Sequence, residues 1–274
     1  MPLQINTIFA LINDYEKANK LIKKAIDLAQ EQEAFLEIIF VHEEALFSLP
    51  DFFRPKQSVD KEKFDVQKIK EELIQKVKDY SSKQEFFVLV KINDSLNHLE
   101  QRVKGHEKSL IVMSYHERLS HSIISKIKLP SLILKHGFKS YVNLAIPINV
   151  EHSPLACIDM AKTVFPQVNM KLLYDDVCTI GPISIDASYL ELGLEETQQV
   201  ELDAGEVFKA LQKKTGLKGV LISEYSTVAG DIDDYIQKHE FQLSVLSASH
   251  EHIFEADSIS LSLLDSLKTD CFIC

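Results

Sequence analysis

An apolar run gives way to a stretch with apolar residues at every third or fourth position, and the pattern then recurs down the whole chain. Residues 1–136 hold five such apolar runs, alternating with helical stretches, and the scheme starts over at Tyr141. Strand candidates in the first half are INTIFALI (5–12), FLEIIFVH (35–42), EFFVLVKI (85–92), LIVMS (110–114) and PSLILK (130–135). Between them the helical spacing predicts helices over 15–30, from about 61 to 80, in SLNHLEQRV and in HSIISKI. Strict alternation of strand and helix demands right-handed crossovers and a mostly parallel sheet, so the fold class is α/β.

The second half repeats the scheme. Strands are predicted at YVNLAIPI (141–148), NMKLLYD (169–175), LKGVLIS (217–223), FQLSVLS (241–247) and DCFIC (270–274). Helices are predicted in PLACIDMAKTVF, VELDAGEVFKALQKKTG, DIDDYIQKH and SLSLLDSL. Ile12-Asn13 closes the opening strand of one half and Ile148-Asn149 that of the other, 136 residues later. LIVMS and LSVLS stand 133 residues apart. The chain of 274 residues has room for two domains, and a duplicated five-stranded unit accounts for this period. Residues 1–136 form one expected domain and 141–274 the other, joined by HGFKSY.

Charge divides along the same line. Residues 1–136 hold 21 basic and 20 acidic side chains, and residues 137–274 hold 9 and 21. An acidic half repels phosphate backbones, so no nucleic-acid partner is expected. The lysines of the first half are interleaved with glutamate, as in QKIKEELIQKVKDY, which is the pattern of a solvated helix face. No run approaches the ~20 apolar residues that span a bilayer, so no membrane partner is expected. The start, MPLQINTIFALIND, has no basic region before its apolar run and does not read as a signal peptide, so a cytoplasmic location is expected.

The order and length of these elements resemble the universal stress protein family in tandem form. The first strand of that family reads like ILVPVDFSE, and IFALINDYE and LAIPINVEH align with it without gaps. The family pattern A-L-x-x-A-x-x-L-A is echoed by LIKKAIDLA at 21–29 and more faintly by CIDMA at 157–161. The family's fourth strand, LIVMG, is LIVMS here. The resemblance covers nearly the whole chain except the variable stretches at about 44–60 and 176–198. It implies two doubly wound five-stranded parallel-sheet domains of the adenine nucleotide alpha-hydrolase-like, universal stress protein fold, each with spatial strand order 3-2-1-4-5.

In nucleotide-binding members, LIVMG opens a G-x-x-G loop followed by G-S or G-T, whose backbone N–H groups cradle phosphates. Mapped onto this chain, those glycines fall on Ser114 and Glu117 in the first half and on Ser247 and His250 in the second. The Asp that contacts the nucleoside falls on Asn13 and on Asn149. No glycine precedes Gly105 and none follows Gly230, so neither half can form a glycine-rich cradle there. GHEKS (105–109) has Lys-Ser but precedes a strand, unlike a phosphate-binding loop. The resemblance therefore predicts the fold and argues against ATP. No cofactor is expected, and no catalytic constellation is visible, so the chain is not expected to be an enzyme.

Parallel sheets hold ligands beyond the carboxyl ends of their strands. A remodelled pocket in the first half would use Asn13, His42, Ser114 and His116, and one in the second Asn149, Asp175, Ser247 and His250. Solvated loop residues are the plain alternative, and HEH (250–252) beside Asp175 lacks the partner set of a metal site. VHEEALF has Leu46 where a zinc-protease helix would need its second His. LFSLPDFF (46–53) is apolar enough to fold back over the sheet edge or to meet a protein partner. The cysteines are Cys157, Cys178, Cys271 and Cys274; CFIC reads as part of a strand, and small buried side chains are expected in place of a redox or metal pair. Finally, the fifth strands PSLILK and DCFIC are apolar edges that need covering. Pairing them would turn the tandem chain into an internal pseudo-dimer, one rigid two-lobed body, with further homodimerisation left open.

Overall fold

A computed structural model describes residues 4–43, 65–137, 140–148, 154–175, 204–222, 228–247 and 259–274. The segment 46–53 lies outside them. The chain divides into two compact units, residues 6–114 and residues 1–5 with 115–274.

The unit of residues 6–114 contains β1 (Thr7–Ile12), α1 (Ala18–Glu31), β2 (Phe35–His42), α2 (Val66–Tyr80), β3 (Phe86–Ile92), α3 (Ser95–Val103) and β4 (Ser109–Ser114). Its strands lie in the order β3-β2-β1-β4, all parallel. β1 and β4 are buried along their whole lengths, as a central parallel strand with both faces covered must be. α1 buries the stripe Ala18, Leu21, Ile22, Ala25, Ile26, Leu28 and Ala29. α2 buries only Leu73 and Val77, and Asp65 caps it by accepting from the N–H groups of Gln67 (3.0 Å) and Lys68 (3.1 Å). On β2, Glu37 points a carboxylate into the interior, where Arg102 of α3 grips it with two donors at 2.5 and 2.7 Å.

The second unit holds α4 (Glu117–Lys126), β5 (Ser131–Leu134), β6 (Asn143–Pro147), α5 (Leu155–Val164), β7 (Asn169–Asp175), α6 (Ala204–Thr215), β8 (Lys218–Ile222), α7 (Val228–Lys238), β9 (Leu243–Leu246), α8 (Ile259–Ser266) and β10 (Asp270–Ile273). Its strand order is β5-β10-β9-β6-β7-β8. The last five strands thus show the complete 3-2-1-4-5 order of a doubly wound repeat. α6 approaches β8 closely at Gly219, where an added Cβ would meet the Phe208 Cζ at 2.3 Å. Helix α4 begins four residues earlier than HSIISKI suggests. His116 caps it, its ring Nδ1 accepting from the Leu119 N–H at 3.5 Å while the Ser120 hydroxyl oxygen accepts from the His116 N–H at 3.0 Å. A His/Ser pair in place of the usual Ser/Glu pair hides this start from a sequence reading.

The fifth strands pair. β5 runs antiparallel to β10 with Ser131 opposite Ile273, Leu132 opposite Phe272 and Ile133 opposite Cys271. This ladder ties α4 and β5, from the first sequence repeat, into the compact unit of the second. Beside it, the buried Asp270 carboxylate organises the junction between repeats: Oδ1 accepts from the N–H groups of Lys135, His136 and Gly137 at 2.8–3.0 Å, and Oδ2 accepts from the Tyr141 hydroxyl at 2.9 Å. Among the described residues, no helix is long and apolar enough to cross a membrane.

Candidate functional site

The carboxyl ends of β2, β1 and β4 place three of the candidate residues. Pairing sets Ile12 level with Phe40 and Leu11 level with Met113. Ser114 is therefore level with Ile12, Asn13 stands one residue beyond, and His42 closes β2 next door. Strand spacing of about 4.8 Å puts the three along one edge. Ser114 is buried, and Asn13 has a buried Oδ1 with no hydrogen-bond partner among the described residues. The backbone of this edge is fixed by the next turn, where the Asn93 N–H donates to the His42 carbonyl at 2.8 Å. The Glu43 carboxylate accepts from the Ser95 N–H at 2.9 Å and from its hydroxyl, so it holds the start of α3. Asn93 and Asp94 of that turn both have positive φ, 57° and 61°, a conformation that Asn and Asp tolerate better than other side chains. Glu43 falls in VHEEALF, which the sequence offered only for comparison with a zinc-protease helix, and nothing in it pointed to this hold on the start of α3.

His116 belongs to the other unit, and there its ring caps α4. Glu117 is the first residue of that helix and puts an acidic group in its first turn. A carboxylate is stabilised at that end, because the unpaired N–H groups carry partial positive charge.

In the second unit, pairing of Pro147 with Leu173 and of Ala145 with Ser244 brings Asp175 and Ser247 to the same edge, one on each side of β6. Asp175 is buried at the end of β7. The Ser247 carbonyl accepts from the Ser260 hydroxyl of α8 at 2.7 Å. Asn149, His250 and the HEH stretch lie outside the described residues. Among the described residues, no three His, Cys, Asp or Glu side chains gather as metal ligands would.

The cysteines depart from the sequence reading. Cys157, in the first turn of α5, forms a disulfide with Cys274, the residue after β10, across 117 positions of sequence. Cys271 does meet the expectation of a buried small side chain, and burial pushes its thiol up to about 12. Cys178 lies outside the described residues. Nothing in the spacing of the four cysteines signals that Cys157 and Cys274 meet.

No family model matches the chain, and no curated protein matches it. Solved structures do. A universal stress protein from Archaeoglobus fulgidus DSM 4304 superimposes with a TM-score of 0.67 at 12% identity, over 99% of this chain and 97% of that one. A candidate universal stress protein from Pseudomonas aeruginosa UCBPP-PA14 gives 0.65 at 12% identity, over 99% and 93%. A functionally unknown protein from Pseudomonas aeruginosa PAO1 gives 0.65 at 12%, over 99% and 92%. The chain therefore has the universal stress protein fold along nearly its full length, and at this identity the likeness is one of fold.

Proposed function

We propose that this chain is a tandem universal stress protein that acts in a cytoplasmic stress response by interaction or regulation, with a degenerate nucleotide site and no ATP binding in the family manner. The observation that carries the proposal is the end of the fourth strand. Ser114 closes β4, and Glu117 occupies the first turn of α4 with its own carboxylate. A phosphate there would meet a like charge and a side chain where a glycine leaves room for close approach to the backbone. The acidic second repeat is unsuited to nucleic acid. On the same grounds the chain is not an enzyme and needs no cofactor. It works through a protein partner, as a pseudo-dimer closed by β5 and β10, with each repeat (1–136 and 141–274) counted as one domain.

A second reading is favoured by one specific observation, the unsatisfied Asn13 Oδ1 at the β1 edge. A buried acceptor without a donor is costly, and a small ligand carrying an N–H or O–H group would satisfy it. Calorimetric titration with ATP tests the first reading. Binding no tighter than the millimolar range is expected, and a micromolar Kd overturns it. A thermal-shift screen of non-nucleotide metabolites tests the second, because a ligand at 100 times its Kd stabilises by ~2.7 kcal/mol. A hit abolished by Asn13→Ala would support the remodelled pocket.

A further inference from the structure

The Cys157–Cys274 bond lies where a doubly wound unit carries its functional edge. The Leu246 carbonyl, at the carboxyl end of β9, accepts from the Cys274 N–H at 3.2 Å and lies 3.6 Å from the Cys157 Sγ. The disulfide thus fastens the end of β10, past the end of β9, to the first turn of α5. Its two sulfurs are unequal. Cys157 is 3% exposed at the positive end of a ten-residue helix, whereas Cys274 is half-buried and the more exposed of the two. A thiolate expelled at Cys157 would be stabilised by the helix N-terminus, which makes it the better leaving group. Cys271 sits in the interior of β10 with its thiol held protonated by burial, so it cannot compete as an exchanging thiol. The first repeat treats the matching position differently. Lys135, the residue after β5, sends its ammonium to the carbonyls of Leu264, Asp265 and Leu267 at the end of α8. Each fifth strand is therefore tied down just past its end, one by a hydrogen-bonded lysine and one by a bond that can be opened.

We propose that Cys157 and Cys274 are a reversible thiol–disulfide site whose reductant is a protein or small-molecule dithiol and whose oxidant is a peroxide. In reduction, a thiolate of the dithiol attacks the Cys274 Sγ, the Sγ–Sγ bond breaks, and Cys157 leaves as a thiolate that takes up a proton. The second thiol of the reductant then displaces Cys274 and leaves as a cyclic disulfide, so two electrons and two protons have passed to the protein. In the reverse direction peroxide converts one thiol to a sulfenic acid with loss of one water. The other thiol condenses with it, releasing the second water. Opening the bond frees α5 from the end of β10 while the β5–β10 and β9–β10 ladders remain.

The test uses the full chain. The protein is equilibrated with reduced dithiothreitol and then with hydrogen peroxide, alkylated, and mapped by peptide mass spectrometry, which assigns each cysteine by position. A linked Cys157–Cys274 peptide is expected in the oxidised sample. Its loss in the reduced one should occur without denaturant and with unchanged circular dichroism, and it should return on oxidation. Hydrogen exchange in the first turn of α5 should become at least about tenfold faster on reduction, with the strands of the β5–β10 ladder little changed. Cys274→Ser should reproduce the reduced exchange pattern in the absence of reductant, and Cys271→Ala should leave the cycle intact. Absence of the linked peptide overturns the proposal. So does a bond that yields only in denaturant, or exchange in α5 that ignores the redox state.

Discussion

Asp270 is the clearest single-residue anchor in the molecule. It is fully buried, and four donors converge on its two oxygens: three successive backbone N–H groups from Lys135 to Gly137 and the Tyr141 hydroxyl. Truncation would strand all four partly buried donors at once and leave a gap where the buried carboxylate stood. Asp270→Ala should therefore destabilise the chain by about 3–5 kcal/mol, whereas Asp270→Asn, which keeps one acceptor, should cost about 1–3 kcal/mol. Urea unfolding of the two variants against the parent checks both the size and the order. Glu37 follows the same rule on β2: a carboxylate is tolerated inside because Arg102 reaches it with two donors while stacking over the Phe87 ring, 5.5 Å from its centre. The sequence marks neither acid, since both look like ordinary charged residues inside apolar runs and their partners lie 65 to 135 positions away.

At the scale of elements, close approach decides more than pattern. β8 contains a glycine where a β-branched residue would be the natural choice, and the reason is α6. Phe208 and Gln212 lie within 2.3 and 2.7 Å of where a Cβ would stand. Gly219→Val should cost about 1–3 kcal/mol through overpacking, and Phe208→Ala should relieve part of the penalty in the double variant. Thermal unfolding of the three variants measures this coupling. The β5–β10 ladder is the second case. Removing residues 270–274 deletes the strand between β5 and β9, leaves two unpaired edges and exposes Leu132 and Leu134. Loss of solubility or a large fall in Tm is expected from the truncated chain. A soluble product of unchanged stability would show that the ladder is dispensable.

For the molecule as a whole, the titrating groups point to alkaline sensitivity. Burial and the neighbouring Glu72 push the Tyr15 hydroxyl up to about 12. Burial together with Asp265 raises Tyr115, and burial together with Asp270 raises Tyr141. The buried Cys271 thiol is raised to about 12 from 9.0. Each of these acids binds its proton more tightly folded than unfolded. Their contribution is complete below the unfolded values of about 9 to 10 and is lost as the pH climbs toward 12. Stability measured by urea unfolding should therefore show little dependence on these groups from pH 7 to about 9 and fall steadily above about 10. Tyr141→Phe should flatten part of that fall, at some cost at neutral pH from the lost bond to Asp270.

Strand–helix alternation is written locally in side-chain period, and every described strand and helix lies where that period puts it, apart from a few terminal residues. The strand order is what the family resemblance implies, and within that order parallel pairing brings equivalent strand ends level, which sets Asn13, His42 and Ser114 along one edge. Where two groups meet across long stretches of chain, spacing is silent. His116 became a helix cap because Ser120 answers it, Cys157 met Cys274 because β10 ends beside α5, and Asp270 found three N–H groups because the junction turns around it. Those partners are chosen by distance in the folded chain and by the need to satisfy every buried donor and acceptor, and tertiary packing alone decides both.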